Sequence, residues 1–556
     1  MNLRSLVEWR SSHRFSGAPS LPARGSAGGV LTAEASAAAR HPGLYREVLL
    51  LVAALICLFL LSHSGWDYSE ASMHYAVAEQ ILTRGELSFA QPREGIYYLA
   101  PNGRTYAAHE LGNTIFLLPV AALNHFIELH FTRSFGASRV AYFTRFLFSS
   151  MGTILCAAGA AFLYLILRLI FLQPVRSALA SVLIFCFCSY YWSYTRIIFD
   201  GVLCSVLLAA GTLALFLFAR EPDKDRLLIA AFASFGFGVI TRLSMVLPIV
   251  AAAIYLLLIE TRRRRLFRTA GMAVGVLAPF VAWQLYYNHL RTGNPFLSPV
   301  QMPQYEPANG LHGQLAVGLA GLLFSPGKSI FVYCPIALLS VMVMGWFWKT
   351  HRNEAAFVSA VSLSWLLLHA KLNSWYGAWG WGPRHLVTIA PLLALPFLVA
   401  RFSSWPRSFR IFAVAALSWG FVLAVASNIC NSRYRLLLAA RKGLLDNDRF
   451  YWNLTRNQAT DAVASMLHNF VRMVRGGPYE VIPGIAARDV AASNTADLWY
   501  VTALRLGYPA IPIALTVIAL AACAAICLAV LWRDGNRPSR SRHEFTPPAR
   551  RFEAQA

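Results

Sequence analysis

The sequence predicts an all-α polytopic membrane protein, and three observations carry that prediction. Hydrophobic residues make up 57% of the 556-residue chain and charged residues only 13%, with mean hydropathy +0.50. A soluble domain has no interior large enough to hide that much apolar surface. Apolar stretches recur from Val48 to Trp532, many near the ~20 residues a helix needs to cross a bilayer. They are continuous rather than alternating, which selects helices over a barrel.

Taken in order, residues 1–46 are rich in Ala, Gly, Ser and Pro and read as a disordered basic tail. Val48–Leu61 follows a tail too long for an ordinary secretory signal, so it reads as an uncleaved anchor with the tail inside. Residues 65–113 form a polar first outer loop. The next stretch, Thr114–Phe131, is short and holds Pro119, His125, Glu128 and His130. If it stays outside, spans near 139–170, 177–195, 201–219, 227–241, 244–260 and 268–289 follow, leaving Arg133, Arg139 and Arg145 outside. If it crosses, 227–260 becomes one broken span. The first layout fits the charges better. A second outer loop, 290–328, precedes spans near 330–348, 354–369, 387–400, 409–428 and 508–532, about twelve in all. The organisation is a transmembrane body 47–428, an outer helical cap 429–507, a last span 508–532 and a basic tail 533–556.

The net charge of +23 does not mark a nucleic-acid binder. Its arginines gather at Arg4–Arg46, Arg262–Arg265 and Arg533–Arg551, each beside an apolar run, as the positive-inside rule places cytoplasmic segments. Anionic lipid head groups are the partner that distribution suits. The N-terminus is thereby expected in the cytoplasm. Eight of nine cysteines fall in expected spans and Cys430 at the end of one, with no spacing for a disulfide framework or zinc site.

Chemistry concentrates in the first loop, which opens GWDYSEASMHYAVAEQILTRGELSF. Asp67, Glu70 and His74 stand at i, i+3 and i+7, one face of a helix. Ala71, Tyr75, Ala78 and Leu82 make a separate apolar stripe, expected to lie on the membrane with the acids turned to a water-filled cavity. A carboxylate there suits a general base acting on a hydroxyl; a solvated polar face is the plain alternative. The same three residues offer ligands to a divalent cation, but the set is too small to assign one, so the cofactor is unknown.

Other polar groups map to the same side: Arg196, Asp200, Arg242, Tyr305, Glu306, Lys328, Arg384 and His385. Ionisable groups at span ends are costly and mark functional sites by default. A guanidinium also grips phosphate bidentately, although interfacial anchoring explains any one of them singly. Trp375, Tyr376, Trp379 and Trp381 suit either an interfacial belt or stacking on a substrate. His74, Arg242, Glu306, Lys328, Arg384, His385 and Trp379 are the substrate-binding candidates.

The blocks SEASMHYAVAEQILTRGELSF, NGRTYAAHELGNTIFLLP, GFGVITR, YYNHLRTGNPF, LLFSPGKSIFVYCP and WGWGPRHL occur in that order over roughly residues 60–400. Together they resemble the GT-C integral-membrane glycosyltransferases, in particular the bacterial members that use polyprenyl-phosphate sugars, related to aminoarabinose, mannosyl and galacturonosyl transferases. The resemblance implies an acid in the first outer loop. Counted back from Gly85, Glu70 takes that position, with Ala71 where many members carry a second acid, so Asp67 stays open beside Glu70. It further implies inversion at the anomeric carbon, a carboxylate activating the acceptor hydroxyl, and Arg242, Lys328 or Arg384 stabilising the departing phosphate. The implied partners are a polyprenyl-phosphate-sugar donor, an outer-side acceptor (lipid, glycan or protein) and membrane lipids; the implied location is the bacterial inner membrane. Metal use differs within the family and does not carry over. A transporter or flippase of lipid-linked sugars, or a non-catalytic scaffold, are the alternatives, but no repeat relates the two halves of the chain.

Overall fold

Leu, Ala, Val and Phe dominate the stretches between polar turns, and those stretches wind into helices throughout. The computed structural model describes residues 43–65, 71–93, 96–260, 263–303, 305, 310–377, 380–430, 449–475, 495–505 and 507–535. Asp67, Glu70, Glu306 and Trp379 lie outside the described residues, as do 1–42 and 536–556 of the two tails and 431–448 and 476–494 of the expected cap. Residues 46–556 make up one compact unit.

Helix α1 is Leu44–Leu61 and α2 is Ala71–Arg84. Strands β1 (Ser88–Phe89), β2 (Tyr97–Leu99) and β3 (Thr105–Ala107) follow. Then come α3 (Gly112–Phe135), α4 (Ala137–Leu165, continued in wider turns to Ile170), α5 (Val175–Phe187) and α6 (Asp200–Arg220). Helices α7 (Asp225–Val239), α8 (Val246–Ile259) and α9 (Arg263–Thr292) complete the first half. The second half holds α10 (Leu315–Phe324), α11 (Ile330–Tyr333), α12 (Pro335–Thr350), α13 (Arg352–Ala370), α14 (Ala390–Val399) and α15 (Arg407–Ile429). Last are α16 (Arg449–Trp452), α17 (Gln458–Arg475), α18 (Trp499–Arg505) and α19 (Ala510–Asp534).

Among the described residues seven helices are long and apolar enough to cross a membrane, or eight if α5 counts with the turn Tyr190–Arg196, bent 71° against it. That is fewer than the twelve spans expected. The expected spans near 244–260, 330–348 and 387–400 fall on the shorter apolar segments Leu243–Ile259, Pro335–Thr350 and Arg384–Val399, and those near 227–241 and 354–369 fall on α7 and α13, which are not among the seven. A fourth shorter apolar segment, Leu315–Phe324, lies in the expected second outer loop. Each of the four shorter segments borders a break in the helical pattern, and three of the breaks carry Arg242, Lys328 and Arg384.

Salt bridges and caps sort the helix ends. Arg168 meets Glu47 at 3.2 Å, Arg46 meets Asp534 at 3.1 Å and Arg220 donates to Leu169 O at 2.7 Å. Arg265 reaches Asp223, 42 positions earlier, and Glu260. These groups define a basic end of the bundle. At the other end Trp499 N donates to His63 O, Tyr142 Oη donates to Trp499 O, and Arg196 forms a buried ion pair with Asp497. Helix α3 begins and finishes at this second end. Its Gly112 N donates to Ile240 O at 2.7 Å, and the chain leaving it reaches Trp499 through Tyr142. Length and composition would let α3 cross; it packs beside α4, where Asn124 donates to Thr144 O. A Cβ at Gly112 would stand 2.7 Å from Thr241 Cα, so only glycine lets these backbones meet.

The loop between α2 and α3 holds a three-stranded antiparallel sheet, order β1-β3-β2, with Tyr98 opposite Tyr106 and Ser88 opposite Tyr106. The all-helical expectation missed it because strands of two or three residues leave no readable alternation. The sheet packs on α2 and the end of α9 through Met73, Val77, Phe89, Tyr106, Leu111 and Tyr287. Each such side chain removed from water stabilises by about 1.5–3 kcal/mol. Arg291, fully buried, closes this layer. Its Nη1 donates to Ala107 O, Ala108 O and His109 O (2.9–3.2 Å), its Nη2 to Asn288 Oδ1, and Glu110 lies 3.8 Å away. Arg291→Leu strands those carbonyls and Glu110, and is expected to cost about 3–5 kcal/mol; an unchanged thermal midpoint in detergent would show that the clamp is dispensable.

Candidate active site

Two polar clusters meet at the end of the bundle opposite the basic one. The first surrounds Asp200. Phe199 is extended (φ −129°, ψ 140°) and Asp200 opens α6, where the helix dipole favours a carboxylate. Asn113 Nδ2 donates to Oδ1 at 2.7 Å, His74 Nε2 lies 3.1 Å from the same oxygen, and His109 Nδ1 lies 3.8 Å from Oδ2. His74 Nδ1 pairs with Thr114 Oγ1 at 3.0 Å. All three partners of Asp200 lie within residues 65–113, so the acid at the mouth of α6 is also the dock for α2.

The expected orientation of α2 is therefore corrected. His74 faces the interior, 1% exposed, and Ala71 and Ala78 of the expected membrane-facing stripe are buried inside the protein, at 1% and 0%. The reason is that α2 is covered on two sides. Ala71 packs with Leu117, Val120 and Ile198, and Met73 and Val77 pack under the sheet.

The second cluster is cationic. Arg242 Nη2 lies 3.2 Å from His369 Nε2 and 3.1 Å from His385 Nδ1. His369 Nδ1 lies 2.8 Å from Trp365 O. A carbonyl only accepts, so the neutral His369 ring carries its proton on Nδ1 and accepts from Arg242 through Nε2. The second Nη2 hydrogen then goes to His385 Nδ1, which leaves the His385 proton on Nε2. That buried N–H has no acceptor among the described residues. Arg242 and Arg384 both lie against the Phe199 ring, at 5.8 and 5.5 Å, so the cations begin one residue from Asp200.

Lys328 is fully buried in the turn between α10 and α11. Its Nζ donates to Gly380 O at 2.6 Å and Gly382 O at 3.2 Å. Burial pushes its pKa well down, and the Arg384 guanidinium adds to the effect; an anion beside it restores the charge. Gly382 holds φ +56° with Tyr333 Cδ1 2.7 Å from where a Cβ would stand, which lets the loop fold over the lysine. The outer segment closes the cluster. Gln458, first residue of α17, accepts from Gly382 N and donates to Gly380 O. Tyr451 stacks on Tyr376 at 4.9 Å with its ring 5.0 Å from Lys328 Nζ.

Of the residues singled out by sequence, His74 joins Asp200, and Arg242, Lys328, Arg384 and His385 gather in the second cluster. Asp67, Glu70, Glu306 and Trp379 fall outside the described residues. Sequence reasoning passed over Asn113, Thr114, His109, His369, Gln458 and Tyr451. His109 and Asn113 sit together in HELGN, a polar run before an apolar helix, which was the available signal. Among the described residues no group of three or more His, Cys, Asp or Glu is arranged to hold a metal ion.

The fold and these clusters define an integral membrane protein with a buried polar site at one end of its bundle. Residues 135–287, from the start of α4 to near the end of α9, match the family model for dolichyl-phosphate-mannose-protein mannosyltransferase. No curated protein matches the chain. Among solved structures, ArnT from Cupriavidus metallidurans bound to undecaprenyl phosphate aligns at 12% identity and TM-score 0.40, over 82% of this chain and 85% of that one. The oligosaccharyltransferase AglB from Archaeoglobus fulgidus, in complex with an inhibitory peptide and a dolichol-phosphate, aligns at 12% identity and TM-score 0.41, over 81% and 64%.

Asp200→Ala leaves the buried Asn113 amide and His74 ring without their acceptor. It is expected to cost about 1–3 kcal/mol, read as a lower thermal midpoint, with Asp200→Asn recovering part of the loss.

Proposed function

We propose that the protein transfers a sugar from a polyprenyl-phosphate-linked donor to an acceptor on the outer side of a bacterial inner membrane, with inversion. The observation that carries this reading is the junction at Phe199–Asp200. There, a buried acid held by residues of the first loop adjoins a cluster of Arg242, Lys328, Arg384 and His385. A lipid-phosphate donor needs that pairing of an acid–base side and a cationic side.

In the reaction the acceptor oxygen attacks the anomeric carbon as the bond from that carbon to the phosphate oxygen breaks. The acceptor proton goes to a carboxylate, Glu70 or Asp67, and the phosphate leaves with the electron pair. Arg242, Arg384 and Lys328 neutralise its growing charge, and the spare His385 Nε2–H is a further donor for a phosphate oxygen. Ala71, the residue after Glu70, packs against Ile198, two residues before Asp200. This supports a working position for the first-loop acids beside the junction. Asp200 acts through His74 as a positioning group. Arg46, Arg168, Arg176 and Arg220 collect at the opposite end, which supports a cytoplasmic N-terminus.

Purified protein incubated with radiolabelled polyprenyl-phosphate sugars and candidate acceptors is expected to transfer the label. Of Glu70→Gln and Asp67→Asn, the change at the base abolishes transfer. If both variants match the parent, the catalytic assignment fails; label crossing the bilayer without transfer would show a transporter. A charge-assisted hydrogen bond is worth about 1.5–3 kcal/mol, so Arg384→Ala and Lys328→Ala should each weaken polyprenyl-phosphate binding by roughly tenfold or more, measured by competition with labelled donor.

A further inference from the structure

Helix α17 is amphipathic the wrong way round for a domain bathed in water. Gln458, Ala462, Ser465 and Asn469, spaced i, i+4, i+7 and i+11, are buried against the protein. Leu467, Phe470, Val471 and Val474, spaced i, i+3, i+4 and i+7, form the opposite stripe and are 46–70% exposed. A helix packed on a soluble core buries such a stripe. This one is held in the reverse orientation by specific bonds. Asn469 Nδ2 donates to Thr495 O at 3.1 Å, and the Cys430 thiol meets Ala462 O at 3.7 Å.

What covers the stripe follows from where the helix sits and how it is charged. Helix α15 has 23 residues, about 34 Å at 1.5 Å each, slightly more than the ~30 Å hydrocarbon thickness. Cys430, the next residue, thus stands at the membrane surface, and it touches α17 in its second turn, at Ala462. The sides of α15 and α19 expose Phe412, Val414, Phe421, Leu515 and Ile518, the band a bilayer covers. Helix α17 therefore starts where that lipid-facing band ends. His468, Arg472 and Arg475 line one border of its apolar stripe, with Arg472 Nη2 2.9 Å from His468 Nε2. Cations beside an apolar face at headgroup depth fit lipid phosphates.

We propose that α17 is an in-plane membrane anchor. Leu467, Phe470, Val471 and Val474 sink into the outer headgroup–acyl boundary, and Arg472 and Arg475 meet anionic lipid phosphates. Through Gln458 the anchored helix also holds the Gly380–Gly382 loop over Lys328. The surface is separate from the transfer chemistry, and its test does not depend on activity.

In full-length protein with Cys523, the exposed native cysteine, changed to serine, nitroxide labels are placed singly by Leu467→Cys, Phe470→Cys, Val474→Cys and Asn469→Cys. The protein is held in nanodiscs of equimolar phosphatidylethanolamine and phosphatidylglycerol. Labels at 467, 470 and 474 are expected to collide with oxygen more than with a water-soluble nickel chelate, and the label at 469 to be shielded from both. Replacing phosphatidylglycerol with phosphatidylcholine should shift the three labels toward the nickel reagent. Nickel access above oxygen access at all three sites, as in water, overturns the proposal. Shielding from both reagents at all three overturns it too, since that would mean a protein partner or second copy covers the stripe.

Discussion

Asp200 ties the first outer loop to the bundle, and much of the site depends on that tie. A carboxylate taken out of water costs several kcal/mol unless other groups replace the water. Here Asn113, His74 and His109 do so, and all three come from the loop or the first turn of α3. Burying the acid and docking the loop are thus one event. Arg291 secures the far edge by binding three consecutive carbonyls, so the loop is held at a side chain on one flank and along its backbone on the other.

The bilayer imposes the second constraint. Within hydrocarbon every backbone group needs an internal partner, and irregular chain is tolerated only where it is buried in protein or lines a cavity. The short helices obey this. Their interruptions around Arg242, Lys328 and Arg384 face inward, and the cations find carbonyls and imidazoles there. Helix length was given up where chemistry was needed.

This division sets what the sequence reveals. Arg242, Lys328, Arg384 and His385 stand out because ionisable groups are rare in an apolar chain, and they do converge. His74 is equally visible, but its direction is not. A helical wheel ranks faces by polarity, whereas α2 is covered on two sides and its inward face includes a histidine with a distant acid for partner. Asn113 and Asp200 are 87 positions apart, and nothing local announces such a pair. The sheet hides because its strands are too short for alternation to show. In α17 the periodicity is plain, yet period alone does not say which stripe meets the protein.

The buried pair of Arg196 and Asp497 has a consequence for biogenesis. The partners lie 301 positions apart, so Asp497 is made long after Arg196. At about 5–20 residues per second, Arg196 waits roughly 15–60 s after its own synthesis for its counter-charge. Through that interval most of the helices are already made while the site end lacks its final latch. A chain cut short before Asp497 would leave the Arg196 guanidinium buried without that counter-charge.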